Sequence, residues 1–561
     1  MDRRHAPLPP RSGRGGRVRR RLSRAIAGAG VAAVALAALT GCGQSAVGGQ
    51  AGSYELTAHT PAPKGDIDSV TWALATEPFS LDPAYAFDYS DNTVLANMCE
   101  SLLRWNSDLS VSPGLATKVD HPDPQTWVYT IRQGVKFHDG STMQPSDVVF
   151  SLKHHLDPEV GSFWFDTYKN VDSISQTSTD QVTVHTKIPD PSFNKMMSAA
   201  PGVVFSEKAA KAAGRDYGNA STGVDCTGPF TFKEWRSGES ITMERFADYW
   251  DPEYRAKAKQ FQFVILNDPN ARVNALRTGE IDGSWQVPTN AIDLMRASDT
   301  GKMYFGVNTT VQSLIVGDMQ GPLGDLRVRK ALALALDRQA LIKAAVQGYA
   351  KPTDALTTKS VWTDASPETI TQAFDDLPKL QYDLAEAKRL VKEAGAEGKK
   401  ITYVTAPIDS SFDVISQAVA SAGKEIGLDI RIETRTPNAY TLLFSDPNAI
   451  KGVDLFTTQW YLSSTDPLEM YAVLRTGEFS NYGHWSDPAF DALTNRALVT
   501  DDGGERAKIS AQVQRLASEQ LPWIPLFEIP TGLWLGKKVT GVDPSISYMY
   551  APWAAKIGKA D

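Results

Sequence analysis

Cysteine is the scarcest reactive residue here: three occur in 561 residues, Cys42, Cys99 and Cys226. Their spacing excludes a zinc ribbon, which needs paired Cys-x-x-Cys clusters. Histidine is sparse too, with eight scattered residues. The adjacent pair His154-His155 points to different faces of a helix and is a poor metal site. His-Glu-x-x-His and Gly-x-Ser-x-Gly are both absent, so no hydrolase motif is present and neither cofactor nor metal is expected. Basic charge runs short after the first 41 residues, which carry nine of the 57 basic and one of the 65 acidic residues. The remaining 48 against 64 leave a net charge of −16. That acidity argues against DNA or RNA as a partner. Long apolar runs are missing with one exception, Ala25 to Leu39, shorter than the roughly 18–20 residues a bilayer span needs.

That exception follows an arginine-rich start and precedes Leu39-Thr40-Gly41-Cys42. A basic run, a short apolar run and small residues before a cut form an export signal. Leu-Thr-Gly-Cys resembles the bacterial lipobox, which implies loss of residues 1–41 and lipidation of Cys42. The expected location is the outer face of the cytoplasmic membrane, reached through the lipid alone. Arg19-Arg20-Arg21 leaves the export route open between the general and twin-arginine systems. Residues 42–65, rich in Gly, Ala, Ser and Pro, read as a flexible tether. With Cys42 taken, Cys99 and Cys226 either pair, as leftover thiols outside the cytoplasm often do, or are buried separately.

Helices and strands alternate through the rest, which predicts an α/β fold. Trp127 to Arg132, Val182 to Val184, Phe230 to Phe232 and Ile241 to Met243 read as strands. Pro145 opens a helix. Asp325 starts another, carrying Leu326, Arg329, Leu332, Leu336 and Ile342 and ending at Gly348, with Arg327 and Arg329 on its exposed start. Asp383 caps a helix stopped by Gly395, and a helix from Phe412 to Ile426 feeds a strand at Leu428 to Ile432.

Several stretches, taken in order, resemble the extracytoplasmic solute-binding proteins of the peptide/nickel class (family 5) that serve ABC importers. They are Phe79-Ser80-Leu81-Asp82-Pro83, Cys99-Glu100-Ser101-Leu102-Leu103, the run Tyr129 to Gly140, Thr227-Gly228-Pro229-Phe230, Asp248-Tyr249-Trp250, the run Asp325 to Leu332, Ser480-Asn481-Tyr482 and Leu521 to Phe527. The resemblance implies a two-lobed periplasmic-binding-protein fold of the large peptide-binding kind (class C, type II), with the ligand cleft between lobes. It places lobe I at 66–303 with an inserted subdomain, lobe II at 304–525 and a return to lobe I at 526–561. It implies a monomer that captures a peptide-like or other small polar solute and passes it to ABC permease subunits. A ligand sensor on the same fold and a secreted hydrolase are the alternatives.

In peptide-binding members a Trp-x-x-Asp reaches into the cleft, its aspartate holding the peptide amino group. Here Trp460 keeps the tryptophan, but Ser463 stands where the acid would be, with Asp466 three residues on. The run Lys379-Leu380-Gln381-Tyr382 lacks the arginine with which dipeptide binders precede a tyrosine. Both departures lower the expectation of a free dipeptide and leave longer peptides, sugars and other polar solutes. Tyr85, Phe87, Tyr89, Trp164, Trp285 and Tyr482 are the further cleft candidates, as faces for stacking or cation–π contact.

Overall fold

The structure, a computed structural model, describes residues 54–561; the expected signal, Cys42 and the start of the tether lie outside the described residues. Two mixed sheets carry the architecture. The first runs Phe230–Arg236, Ser240–Arg245, Ala258–Ile265, Ile67–Leu74, Gly283–Ser284, Thr531–Gly536, Gly301–Gly306. The second runs Lys351–Pro352, Trp523–Glu528, Val311–Val316, Leu455–Trp460, Lys400–Thr405, Asp429–Thr434. Each anchors one lobe. A four-stranded antiparallel sheet, Ala116–Asp123, Thr126–Ile131, Gln181–Thr186, Val171–Gln176, forms an inserted subdomain of lobe I with its own core around Tyr129, Phe137 and Tyr168.

The chain crosses between lobes twice. Gly301–Gly306 pairs along its length with Thr531–Gly536 in the first sheet, and Trp523–Glu528 pairs with Val311–Val316 in the second. The boundaries expected at 303 and 525 therefore each fall inside a strand, and the crossings lie at 307–310 and 529–530. The sequence places the crossovers near Met303 to Asn308 and near Leu526 to Leu533, ranges that overlap both crossings.

The helix expected from Asp325 to Gly348 is two helices, Leu326–Leu334 and Arg338–Val346. Asp337 makes the break, because its carboxylate accepts from Gln339 N and Ala340 N at 3.0 Å and starts a new helix. Arg329, expected in solvent, is buried and donates to the carbonyls of Leu323, Gly324 and Gln520. Its guanidinium fastens a helix start to a helix end, while Arg327 stays exposed beside Asp325.

Cys99 and Cys226 are bonded, S–S 2.03 Å, inside the lobe I core. The neighbouring Glu100 is buried and accepts from Thr227 Oγ1 (3.0 Å), Tyr249 OH (2.7 Å) and Trp250 Nε1 (2.8 Å), so three of the sequence motifs meet at one carboxylate.

The described end of the expected tether is not free. Residues 54–65 lie along lobe I: Thr57 N donates to Phe305 O (2.7 Å), Thr60 Oγ1 to Val542 O (2.8 Å) and Lys64 N to Lys559 O (2.8 Å). Tyr54 packs on Phe305, ring centroids 5.4 Å apart.

Candidate functional site

A cavity of about 1900 Å³ lies between the lobes. That exceeds the roughly 300–1,000 Å³ of a drug-sized pocket. The lobes are closed over it. On one flank Thr289 Oγ1 donates to Asp409 Oδ1 (2.8 Å) and Tyr349 OH to Asp293 Oδ1 (2.6 Å). On the other, Lys169 meets Glu478 (2.9 Å) and Lys195 meets Asp364 (2.5 Å).

Eight of the nine expected cleft residues line the cavity. Trp460 is half-buried and meets Trp523 edge-on at 5.1 Å. Tyr482 is buried, its ring 6.3 Å from Trp523. Trp285 stacks on Tyr548 at 4.3 Å, Phe87 abuts Phe163 at 4.4 Å, and Trp164 completes that wall. Tyr89 OH reaches Thr310 Oγ1 (3.3 Å) and Gln459 O (3.4 Å) across the cleft. Tyr85 is the exception. The turn Pro83–Tyr85, capped by Asp82, sends its hydroxyl away to Val160 O (2.5 Å), and it does not line the cavity. Tyr382 is exposed and also lies outside the lining.

Ser463 and Asp466 are engaged within the protein. Ser463 Oγ hydrogen-bonds Tyr550 OH (2.8 Å) and is buried. Asp466 forms a buried ion pair with Arg506 and accepts from Ser192 Oγ of lobe I (3.1 Å). It thus works as an interlobe tie; the Asp-Pro motif alone gave no sight of Arg506, 40 residues on.

Sequence reasoning passed over Tyr461, Glu469 and Asp88. Tyr461 lies 5.0 Å from Tyr89 and donates to Phe87 O (2.5 Å), carrying lobe II into the lobe I wall. Glu469 accepts from Ser463 N (2.7 Å), Ser464 N (2.8 Å) and Ser464 Oγ (2.7 Å), which fixes the Trp460 loop. Burial pushes its carboxyl up from 4.5 to about 7. Between those values the native state holds a proton that the unfolded chain has lost. Stability should therefore fall as pH rises through that window, by about 3 kcal/mol in all, and level off above it. Urea unfolding at a series of pH values should show this decline in the wild type and its loss in Glu469→Gln.

The electrostatics of the cavity are lopsided. Nine carboxylates line it, from Glu77, Asp88, Asp91, Asp166, Asp190, Asp409, Asp466, Glu469 and Glu478, against the three cations Lys169, Arg272 and Arg475. The cations are committed. Lys169 and Arg475 share Glu478, and Arg272 donates to Gln286 O (3.1 Å) and Leu266 O (2.6 Å). Asp88 caps the helix Tyr89–Leu95, its Oδ1 accepting from Tyr89 N (2.7 Å), and makes no ion pair among the described residues. Burial raises its carboxyl above the ordinary value.

Two α/β lobes, two crossings and a large closed cavity define a receptor that encloses a small solute. The family model for bacterial extracellular solute-binding proteins, family 5 (middle), matches residues 110–482, and the chain belongs to that family. It is 25% identical over 496 residues to the oligopeptide-binding protein OppA of Bacillus subtilis, covering 81% of this chain and 86% of the relative. The fold is shared with the periplasmic binding protein DppA of Helicobacter pylori in complex with peptide STSA, TM-score 0.78, 20% identity, 89% and 99% coverage. It is shared also with AgaA of Agrobacterium tumefaciens R10 in complex with agropinic acid, TM-score 0.77, 22% identity, 88% and 98% coverage. Among the described residues no helix is long and apolar enough to cross a membrane, and no cluster could hold a metal ion.

Proposed function

We propose that this chain is the lipid-anchored solute-binding component of an ABC importer, and that its solute is a peptide-like molecule longer than a dipeptide. The observation that carries the solute class is the cavity: about 1900 Å³, walled by aromatic rings from both lobes. Its cations are tied to Glu478 or to backbone carbonyls, which leaves a short peptide no ready clamp for its carboxylate. Closure traps the solute because only the closed lobes offer both walls to it. Anchorage would come from a lipid on Cys42, and delivery from docking of the closed form on permease subunits as a monomer. The resemblance of the N-terminal sequence to an export signal and lipobox supports the first, and membership of the family supports the second.

Mass spectrometry of solute released by denaturing the purified protein tests the class directly. A tri- to hexapeptide is the expected finding. A solute at about 100 times its Kd should stabilise the protein by about 2.7 kcal/mol. A thermal-shift panel in which dipeptides stabilise as strongly as tetrapeptides would overturn the length assignment.

A further inference from the structure

We infer that Asp88, backed by Asp91, is the acceptor for an ammonium group of the solute, taking from the lobe I wall the role that an aspartate in the place of Ser463 takes in peptide-binding relatives. The assignment rests on the solute-binding reading above. Three observations carry it. First, Ser463 offers no charge, and its hydroxyl is already bonded to Tyr550 at 2.8 Å. Second, Asp88 lies close by through a short relay. Tyr550 OH meets Tyr461 OH (3.4 Å), which donates to the carbonyl of Phe87, the residue before Asp88.

Third, the wall holds buried polar atoms whose partners are missing from the chain. Asp91 is 1% exposed and lines the cavity. Its Oδ1 accepts from Phe79 N (2.6 Å), and the backbone N–H groups of Asp88 and Ser80 also lower its carboxyl, but its Oδ2 has no partner at hydrogen-bond geometry. Trp285, 5% exposed and also in the lining, has an indole N–H without an acceptor. Tyr548, stacked on Trp285, belongs to the turn Ile546–Met549, which packs on the helix that Asp88 caps. A buried acceptor or donor without a partner is costly, and a ligand that supplies both relieves the cost. An amino-terminal residue does so: its ammonium donates and its carbonyl accepts. Tyrosine faces beside the carboxylate add cation–π attraction for the same group.

Binding of three synthetic tetrapeptide mixtures, followed by ultrafiltration and mass spectrometry, tests the assignment. One mixture has free amino termini and no Lys or Arg. The second is the same set N-acetylated. The third is N-acetylated with an internal Lys. Asparagine caps helices as well as aspartate, so Asp88→Asn keeps the helix start; its melting curve and that of Asp91→Asn report folding. The wild type should retain the free-amine mixture at least about tenfold better than the acetylated one. Asp88→Asn should lose about 30-fold or more in affinity, and the preference with it. Asp91→Asn should lose less. Retention of the third mixture but not the second would assign the ammonium to a side chain. A folded Asp88→Asn that keeps the wild-type preference overturns the assignment while leaving the solute-binding reading intact. A wild type that retains none of the mixtures overturns both.

Discussion

Removing the Cys99–Cys226 bridge should cost more stability than any other single covalent change in the described chain. The bond closes a loop of 127 residues and lies wholly inside the lobe I core. In the chain-entropy model such a loop is worth about 4–5 kcal/mol, through restriction of the unfolded chain. The loop contains the entire inserted subdomain, so the reduced chain regains the freedom of that whole region. Chemical denaturation of Cys99→Ser/Cys226→Ser against wild type measures the effect. The double serine variant should show a lower midpoint at similar slope, and wild type in reductant should approach it. A double variant as stable as wild type would refute the expectation.

Breaking the Asp466–Arg506 pair should produce the second large loss. Both side chains are below 5% exposed, and Ser192 of the inserted subdomain joins them across the cleft. Arg506→Ala leaves a carboxylate buried without its counter-ion, at a cost of about 3–5 kcal/mol. Replacing both charges together, as Asp466→Leu/Arg506→Met, should recover most of that, because a buried pair is worth little against apolar groups of similar size. The single variant should also open more readily, since the tie spans the lobes. Small-angle scattering should then report a larger radius of gyration for Arg506→Ala than for the apolar double variant. Equal unfolding midpoints for the single and double variants would refute the charge argument.

Much of the local structure could be read from the sequence, because it is set by neighbours. The strand at Thr126–Ile131 and the helices at Pro145–His154 and Leu384–Glu393 follow from aromatic and β-branched residues, an N1 proline and the cap at Asp383. The two-lobed fold followed from ordered motifs, and the structure explains several of them as scaffold: Glu100, Thr227, Tyr249 and Trp250 form one buried network. The site was only partly legible. Aromatic candidates near a motif mostly do line the cavity, since a large ring in a cleft loop has few other places to go. Partners distant in sequence were invisible. Arg506 turned Asp466 into a tie, and Tyr550 claimed Ser463. Asp88 sat unnoticed between two aromatics, because a cap residue and a ligand group look alike until the wall around them is built.

The segment 54–65 has a mechanical consequence. Its hydrogen bonds run to Phe305, Val542 and Lys559, all in the first lobe, and of the second lobe Tyr54 meets the Lys351 ammonium, 5.7 Å from its ring. Whatever holds the chain upstream of residue 54 therefore pulls on lobe I. The second lobe is joined to it covalently only through 307–310 and 529–530, so a hinge there would carry the pull to lobe II only through those two segments. Under the lipid anchorage proposed above, the tether's pull would fall on lobe I, and closure would move lobe II against it.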